Sequence, residues 1–181
     1  MRRLTLCIAV CFLLLGCSRG MFSGTHAKEG VDALRAKIGA DTKVKRVTVF
    51  DNDVLVNAED PQHPGQLVQW WYADGKVGGP KPIMMPGGGS LAKVLFHTSD
   101  LDFTKVPGLV DAVKKKSGKE VRQLDVSYDV DHPDVPLAWL VETMDDRFWV
   151  FALDGTNLRS TEDDDRYGNR VLQLRLREGS E

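Results

Sequence analysis

Four histidines, three cysteines and several groups of carboxylates are the residues of this 181-residue chain that could do chemistry. His26, His63, His97 and His132 are scattered, and none stands at the i, i+3 or i+4 spacing that brings two imidazoles to one metal. His63 and His132 each precede a proline in a polar loop, so surface positions are expected. The carboxylates gather at Asp51/Asp53, Asp129/Asp131/Asp134, Asp145/Asp146 and 162–165. A calcium loop needs alternating Asp or Asn, then Gly, then a distant Glu; the first group lacks the Gly and the second has Pro133 instead. These clusters are read as solvated turns, and no metal site is expected. Carboxylate pairs that meet only in three dimensions stay open. The glycine-rich stretch 78–90 lacks the Gly-Lys-Ser/Thr ending of a phosphate cradle. No catalytic set, cofactor or enzyme activity follows from these residues.

The cysteines have a different meaning. Cys7, Cys11 and Cys17 all lie in the first 17 residues, which begin Met1-Arg2-Arg3 and continue as an apolar run to Leu15. A helix needs about 20 apolar residues to span a bilayer, and this run is shorter, so its layout is that of an export signal. Leu14-Leu15-Gly16-Cys17 resembles the bacterial lipobox. The resemblance implies removal of residues 1–16 and lipidation of Cys17, with a diacylglycerol thioether and an N-acyl (palmitate-type) chain. Several acyl chains hold a protein firmly at a membrane where one does not. Ser18 follows Cys17, where inner-membrane lipoproteins of Gram-negative bacteria often have Asp, so the expected location is the outer membrane, facing the periplasm. Maturation also changes the charge. The whole chain carries 24 basic and 26 acidic side chains; losing Arg2 and Arg3 leaves 22 against 26, a net −4. That gives no basic footprint for nucleic acid. No thiol remains for a disulfide, thiol catalysis or a cysteine-held metal.

The elements that must position any site are written twice. Gly30-Val31-Asp32-Ala33-Leu34-Arg35-Ala36-Lys37-Ile38-Gly39 aligns with Leu109-Val110-Asp111-Ala112-Val113-Lys114-Lys115-Lys116-Ser117-Gly118, five of ten positions being identical at an offset of 79. Trp71-Tyr72-Ala73-Asp74-Gly75 matches Phe151-Ala152-Leu153-Asp154-Gly155 at an offset of 80. Two matches in one order at nearly one offset point to a duplicated unit. Val31, Leu34 and Ile38 share a helical face, as do Val106, Val110 and Val113. Pro107 fits a helix start, and Gly39 and Gly118 fit left-handed helix ends. Lys114 to Lys116 read as a solvated last turn that complements the helix dipole. Strands are expected at 44–50, 54–58 and 66–73, then at 121–128, 137–143 and 147–153, with further candidates at 91–96 and 171–176. The fold class expected is α+β: two tandem αβββ repeats with helices packed on antiparallel sheet. The divisions are a signal at 1–16, lipidated Cys17 and tether at 17–28, first repeat at 29–77, linker at 78–90, second repeat at 91–158, and an acidic loop with a C-terminal strand at 159–181.

The segment Val106-Pro107-Gly108-Leu109-Val110-Asp111-Ala112, and the strand endings Asp74-Gly75 and Asp154-Gly155, resemble the PepSY-like group and the tandem-repeat fold of β-lactamase inhibitory protein. The resemblance spans most of residues 29–158. It implies a helix of each repeat packed on a sheet and a non-enzymatic role in binding or inhibiting another protein.

Aromatic residues point the same way. Trp70 and Trp71 are adjacent in an expected strand, so their side chains leave on opposite faces, and Phe148-Trp149-Val150-Phe151 is apolar on both. A helix covers one face only. A tryptophan has about 150–250 Å² to bury, so the second face must meet the other repeat, a second copy of the chain in a homodimer, or a target protein. The expected partner contacts are Trp70, Trp71, Tyr72 and Trp149, with Met84 and Met85 as an adaptable apolar tip in the linker. The partner expected is a periplasmic or envelope protein, bound by an inhibitor or immunity-type factor; an envelope scaffold without inhibitory activity is the alternative.

Overall fold

A computed structural model of the chain describes residues 20–84, 91–128 and 136–161. Cys17, Met85, His132, the Asp129/Asp131/Asp134 group and the expected strand at 171–176 lie outside the described residues. The fold is of the mixed α and β class. Helix α1 spans Thr25–Ile38 and α2 spans Val106–Ser117. The strands are β1 Lys43–Phe50, β2 Asp53–Glu59, β3 Leu67–Ala73, β4 Lys76–Ile83, β5 Phe96–His97, β6 Val121–Ser127, β7 Ala138–Thr143, β8 Phe148–Ala152 and β9 Arg159–Ser160. Among the described residues these nine strands form one antiparallel sheet in the order β4-β3-β2-β1-β6-β7-β8-β9, with β5 paired to the start of β1.

Helix α1 starts at Thr25, earlier than the Val31-Leu34-Ile38 stripe indicates, because Gly24 turns the chain at φ +81° and Ala27 extends the buried stripe by one turn. Glycine at position 30 costs about 1 kcal/mol of helix propensity. It is used for close approach: a β-carbon there would stand 2.8 Å from the Tyr72 ring on β3. Gly118 ends α2 in the left-handed conformation. Gly39 ends α1 differently, at φ +104° with extended ψ, and Thr42 Oγ1 caps the carbonyl of Ile38 at 2.7 Å.

Alternation sorts each strand into two faces. Val47 and Val49 of β1, Val54 and Val56 of β2, Leu124 and Val126 of β6, and Trp139 and Val141 of β7 join Val31, Leu34, Val110 and Val113 of the helices in the main core. The stretch 148–151 is divided as its two-faced pattern requires. Trp149 and Phe151 enter the main core, while Phe148 and Val150 form a second buried cluster with Ala138 and Leu140 on the opposite face.

Two expected elements differ. Residues 78–83, read as linker, are the outer strand β4; proline is tolerated there because an edge strand has a free side. The strand expected at 91–96 is instead a 3-10 turn at Leu91–Lys93 followed by two-residue β5. Leu91 and Val94 turn inward onto Leu67 in a satellite cluster, which an extended strand would not allow.

Candidate functional site

Strand β3 delivers three consecutive aromatic residues to two environments. Trp70 and Tyr72 point toward α1 and pack, half-buried, against the main core. Trp71 points to the opposite face and is 38% exposed. Its cross-strand neighbours are Leu55 on β2 and Gly78 on β4, and a β-carbon at residue 78 would lie 2.2 Å from the indole. The absence of a side chain at 78 is therefore what allows the indole to lie against β4. Gln69 Nε2 donates to Asn57 Oδ1 at 3.3 Å on the same face.

Met84 follows β4 and is 95% exposed. It lines an open groove of about 320 Å³ with Gly65, Gln66, Leu67, Pro82 and Ile83. The groove lies where β2 passes into β3, because Leu67 pairs with Ile83. Trp149 is placed elsewhere: it is 7% exposed, on the helix-covered face, with the Lys116 ammonium 5.5 Å from its ring centre. Trp71 and Met84 thus stand on the surface, and Trp70, Tyr72 and Trp149 pack inward.

A polar network on the face opposite the helices was not legible as a unit. Asp125 on β6 is 1% exposed and accepts from Arg46 Nε, from Thr48 Oγ1 at 3.1 Å and from Ser127 Oγ at 3.0 Å. One strand further, Glu142 is also 1% exposed and accepts from Arg122 Nη1 at 2.8 Å and Gln123 Nε2 at 2.6 Å. The available signal was alternation. Arg46 and Thr48 flank Val47, and Gln123, Asp125 and Ser127 alternate with Leu124 and Val126. Each carboxylate is thus held by donors from its own and adjacent strands, which is structural use.

The remaining titratable groups are in small local contacts. His63 Nδ1 meets Asp60 Oδ2 at 2.8 Å and His26 Nδ1 meets Glu29 at 2.9 Å. The His63 contact, with the Gln62 N–H, holds the Asp60 carboxyl below its ordinary range. Burial pushes the Asp53 carboxyl up, and its Oδ1 has no hydrogen-bond partner. Among the described residues no group of three or more His, Cys, Asp or Glu side chains could hold a metal ion. No described helix is long and apolar enough to cross a membrane.

Fold and surface define a mixed α and β protein that sets two helices on one face of a single antiparallel sheet and exposes an aromatic and a methionine side chain at its β3–β4 side. Compared with protein-family models, with curated proteins and with solved structures, the chain shows no match.

Proposed function

We propose that this chain is a lipid-anchored periplasmic lipoprotein of the outer membrane that binds another protein, as an inhibitor or immunity-type factor, through the surface around Trp71 and Met84. The basic end, short apolar run and Leu14-Leu15-Gly16-Cys17 support the anchor. In that process the Cys17 thiol displaces the phosphorylated headgroup of a phospholipid and takes its diacylglyceryl group as a thioether, water hydrolyses the Gly16–Cys17 peptide bond, and the new amine takes an acyl chain from a second phospholipid, which leaves as the lysophospholipid. The observation that carries the binding reading is Trp71. A large apolar side chain held against β4, yet 38% exposed, is pre-positioned area of the kind that dominates protein interfaces. Met84, almost wholly exposed on the rim of an open groove, adds an adaptable contact.

A duplicated αβββ unit underlies the body in this reading. The central β1–β6 register supports it. Val47 pairs with Val126, Arg46 with Ser127 and Thr48 with Asp125. An offset of 79 takes 46 to 125, 47 to 126 and 48 to 127, so Val47 pairs with its own equivalent while Arg46 and Thr48 each pair with the other's. That reciprocity is what a two-fold between two copies generates. Helix positions equivalent at the same offset, Val31/Val110 and Leu34/Val113, are buried alike.

The test is photocrosslinking in intact cells with a benzophenone amino acid at position 71 or 84, and at exposed Asp111 on α2 as control. A discrete protein adduct at 71 and 84 that is absent at 111 is expected. Adducts no stronger at 71 and 84 than at 111 would overturn the assignment. Deletion then separates inhibition from scaffolding: sensitivity to one toxin or hydrolase marks an inhibitor, and general envelope leakiness marks a scaffold.

A further inference from the structure

Folded structure begins almost at the anchor. Met21 is 7% exposed, belongs to the main core, and its N–H donates to the carbonyl of Asp51 at 2.6 Å. Gly20 is already pressed on the β1–β2 turn, where a β-carbon would stand 2.0 Å from Asp51 Oδ1. Only Ser18 and Arg19 separate Gly20 from Cys17, and three residue steps reach at most about 11 Å even when fully extended. A lipidated Cys17 sits at the bilayer surface, so the body has no room to tumble.

We infer that the end of the sheet carrying the β1–β2 turn is held against the membrane, and that the opposite end, with the β2–β3 loop and Met84, is presented to the periplasm. The inference rests on the lipidation of Cys17 proposed above. Register defines the two ends. Phe50 and Asp53 flank the β1–β2 turn; Asp53 pairs with Ala73 and Ala73 with Lys76, which brings the Asp74-Gly75 turn to the same end. Phe50 pairs with Gln123, Gln123 with Glu142 and Glu142 with Phe148, which adds the turn at 144–147. Strand β2 then runs from Asp53 to Glu59, about 20 Å at the usual rise per residue, to the loop at 60–66. Met84 and its groove lie at this far end, because Ile83 pairs with Leu67 and Leu67 with Glu59.

Charge decides what holds that end down. Exposed Asp51, Asp74, Glu120, Asp145 and Asp146 stand there with Lys76, Lys119 and Arg147, and Lys114 of α2 reaches Glu120 at 2.5 Å. Such a mixture of signs is not the run of Lys and Arg that draws a polybasic segment to anionic headgroups. The acyl chains are therefore the main source of membrane affinity in this reading.

The mature chain has no other free thiol, so single cysteines take a fluorophore cleanly. Full-length lipidated protein carrying Asn52→Cys, Asp74→Cys or Gln62→Cys is placed in vesicles of phosphatidylethanolamine with a minor share of phosphatidylglycerol and a headgroup-nitroxide lipid. Loss of most fluorescence at 52 and 74, with little loss at 62, is expected. Inserting a flexible Gly/Ser segment of about 30 residues after Ser18, with an r.m.s. span of about 30 Å, should abolish the difference. Equal quenching at the two ends before insertion, or stronger quenching at 62, would overturn the orientation while vesicle binding upholds the anchor. A chain that does not float with vesicles and whose Cys17 has an unmodified mass would overturn both. Cys17→Ser should not float.

Discussion

The indole of Trp71 occupies the space that a side chain at residue 78 would take: a β-carbon on Gly78 would come within 2.2 Å of its Cε2. The two residues are directly opposed across β3 and β4. Gly78→Val should therefore expel the indole from the strand surface. Overpacking of this kind costs about 1–3 kcal/mol. Chemical denaturation should show that loss, and acrylamide should quench the variant's fluorescence more strongly. In a Trp71→Ala background the same substitution should be nearly silent, which a double-mutant cycle reads as coupling between the two positions.

Arg46 and Asp125 hold the middle of the same face, across the β1–β6 pair. Asp125 is the deeper partner, with a side chain 2% exposed against 16% for Arg46. Removing the cation takes the guanidinium away from a buried carboxylate; removing the anion leaves a cation that can turn toward water. Arg46→Met is thus expected to cost about 3–5 kcal/mol, the range for breaking a buried pair. Asp125→Asn in the same chain should recover part of that loss. Urea unfolding of the two singles and the double variant measures both effects.

The contrast between these pairs shows what the sequence could carry. Helical stripes at Val31/Leu34 and Val110/Val113, and the Asp74-Gly75 turn, are local patterns and appear where their spacing places them. The two-faced stretch 148–151 also sorts as alternation dictates. Arg46 and Asp125 are 79 residues apart, and no local period says that β1 and β6 are neighbours. Gly78-Gly79-Pro80-Lys81-Pro82 has linker composition, yet forms a strand because an edge position tolerates missing donors. At the candidate site, sequence identifies Trp70 and Trp71 as opposed in direction. Which of them is covered depends on which face receives α1, a tertiary choice.

Asp53 gives a pH-dependent prediction. Burial raises its carboxyl above the ordinary carboxylate range, so the folded state binds a proton more readily than the unfolded one. Stability attributable to this group is greatest below the unfolded value and falls as pH rises through the raised folded value. At neutral pH the ionised side chain is a net cost. Asp53→Asn should raise Tm at pH 7 relative to the parent chain, and the gain should shrink as pH is lowered toward 4. A thermal melt series over that range checks the sign. An Asn variant less stable than the parent at pH 7 would show that the carboxylate is compensated.

Among the described residues, strand β4 leaves one side of the sheet unpaired, and an open edge is a template for another strand. Its sequence blunts that edge: Pro80 and Pro82 supply no N–H, and Lys76 and Lys81 are exposed charges along it. Pro82 is opposite Val68, and Lys81 opposite Gln69, in the part of the strand nearest Met84. Replacing them together, Lys81→Thr with Pro82→Val, restores a donor and removes a charge without touching the core. The double variant should self-associate with rising concentration in sedimentation velocity, whereas the parent chain should show a smaller concentration dependence. Keeping Lys81 and changing only Pro82→Val should give an intermediate result, because charge repulsion between paired edges persists and is screened by salt. Added salt should then move the single variant toward the double. If all three chains sediment alike at every concentration, the edge is protected by something other than these two residues.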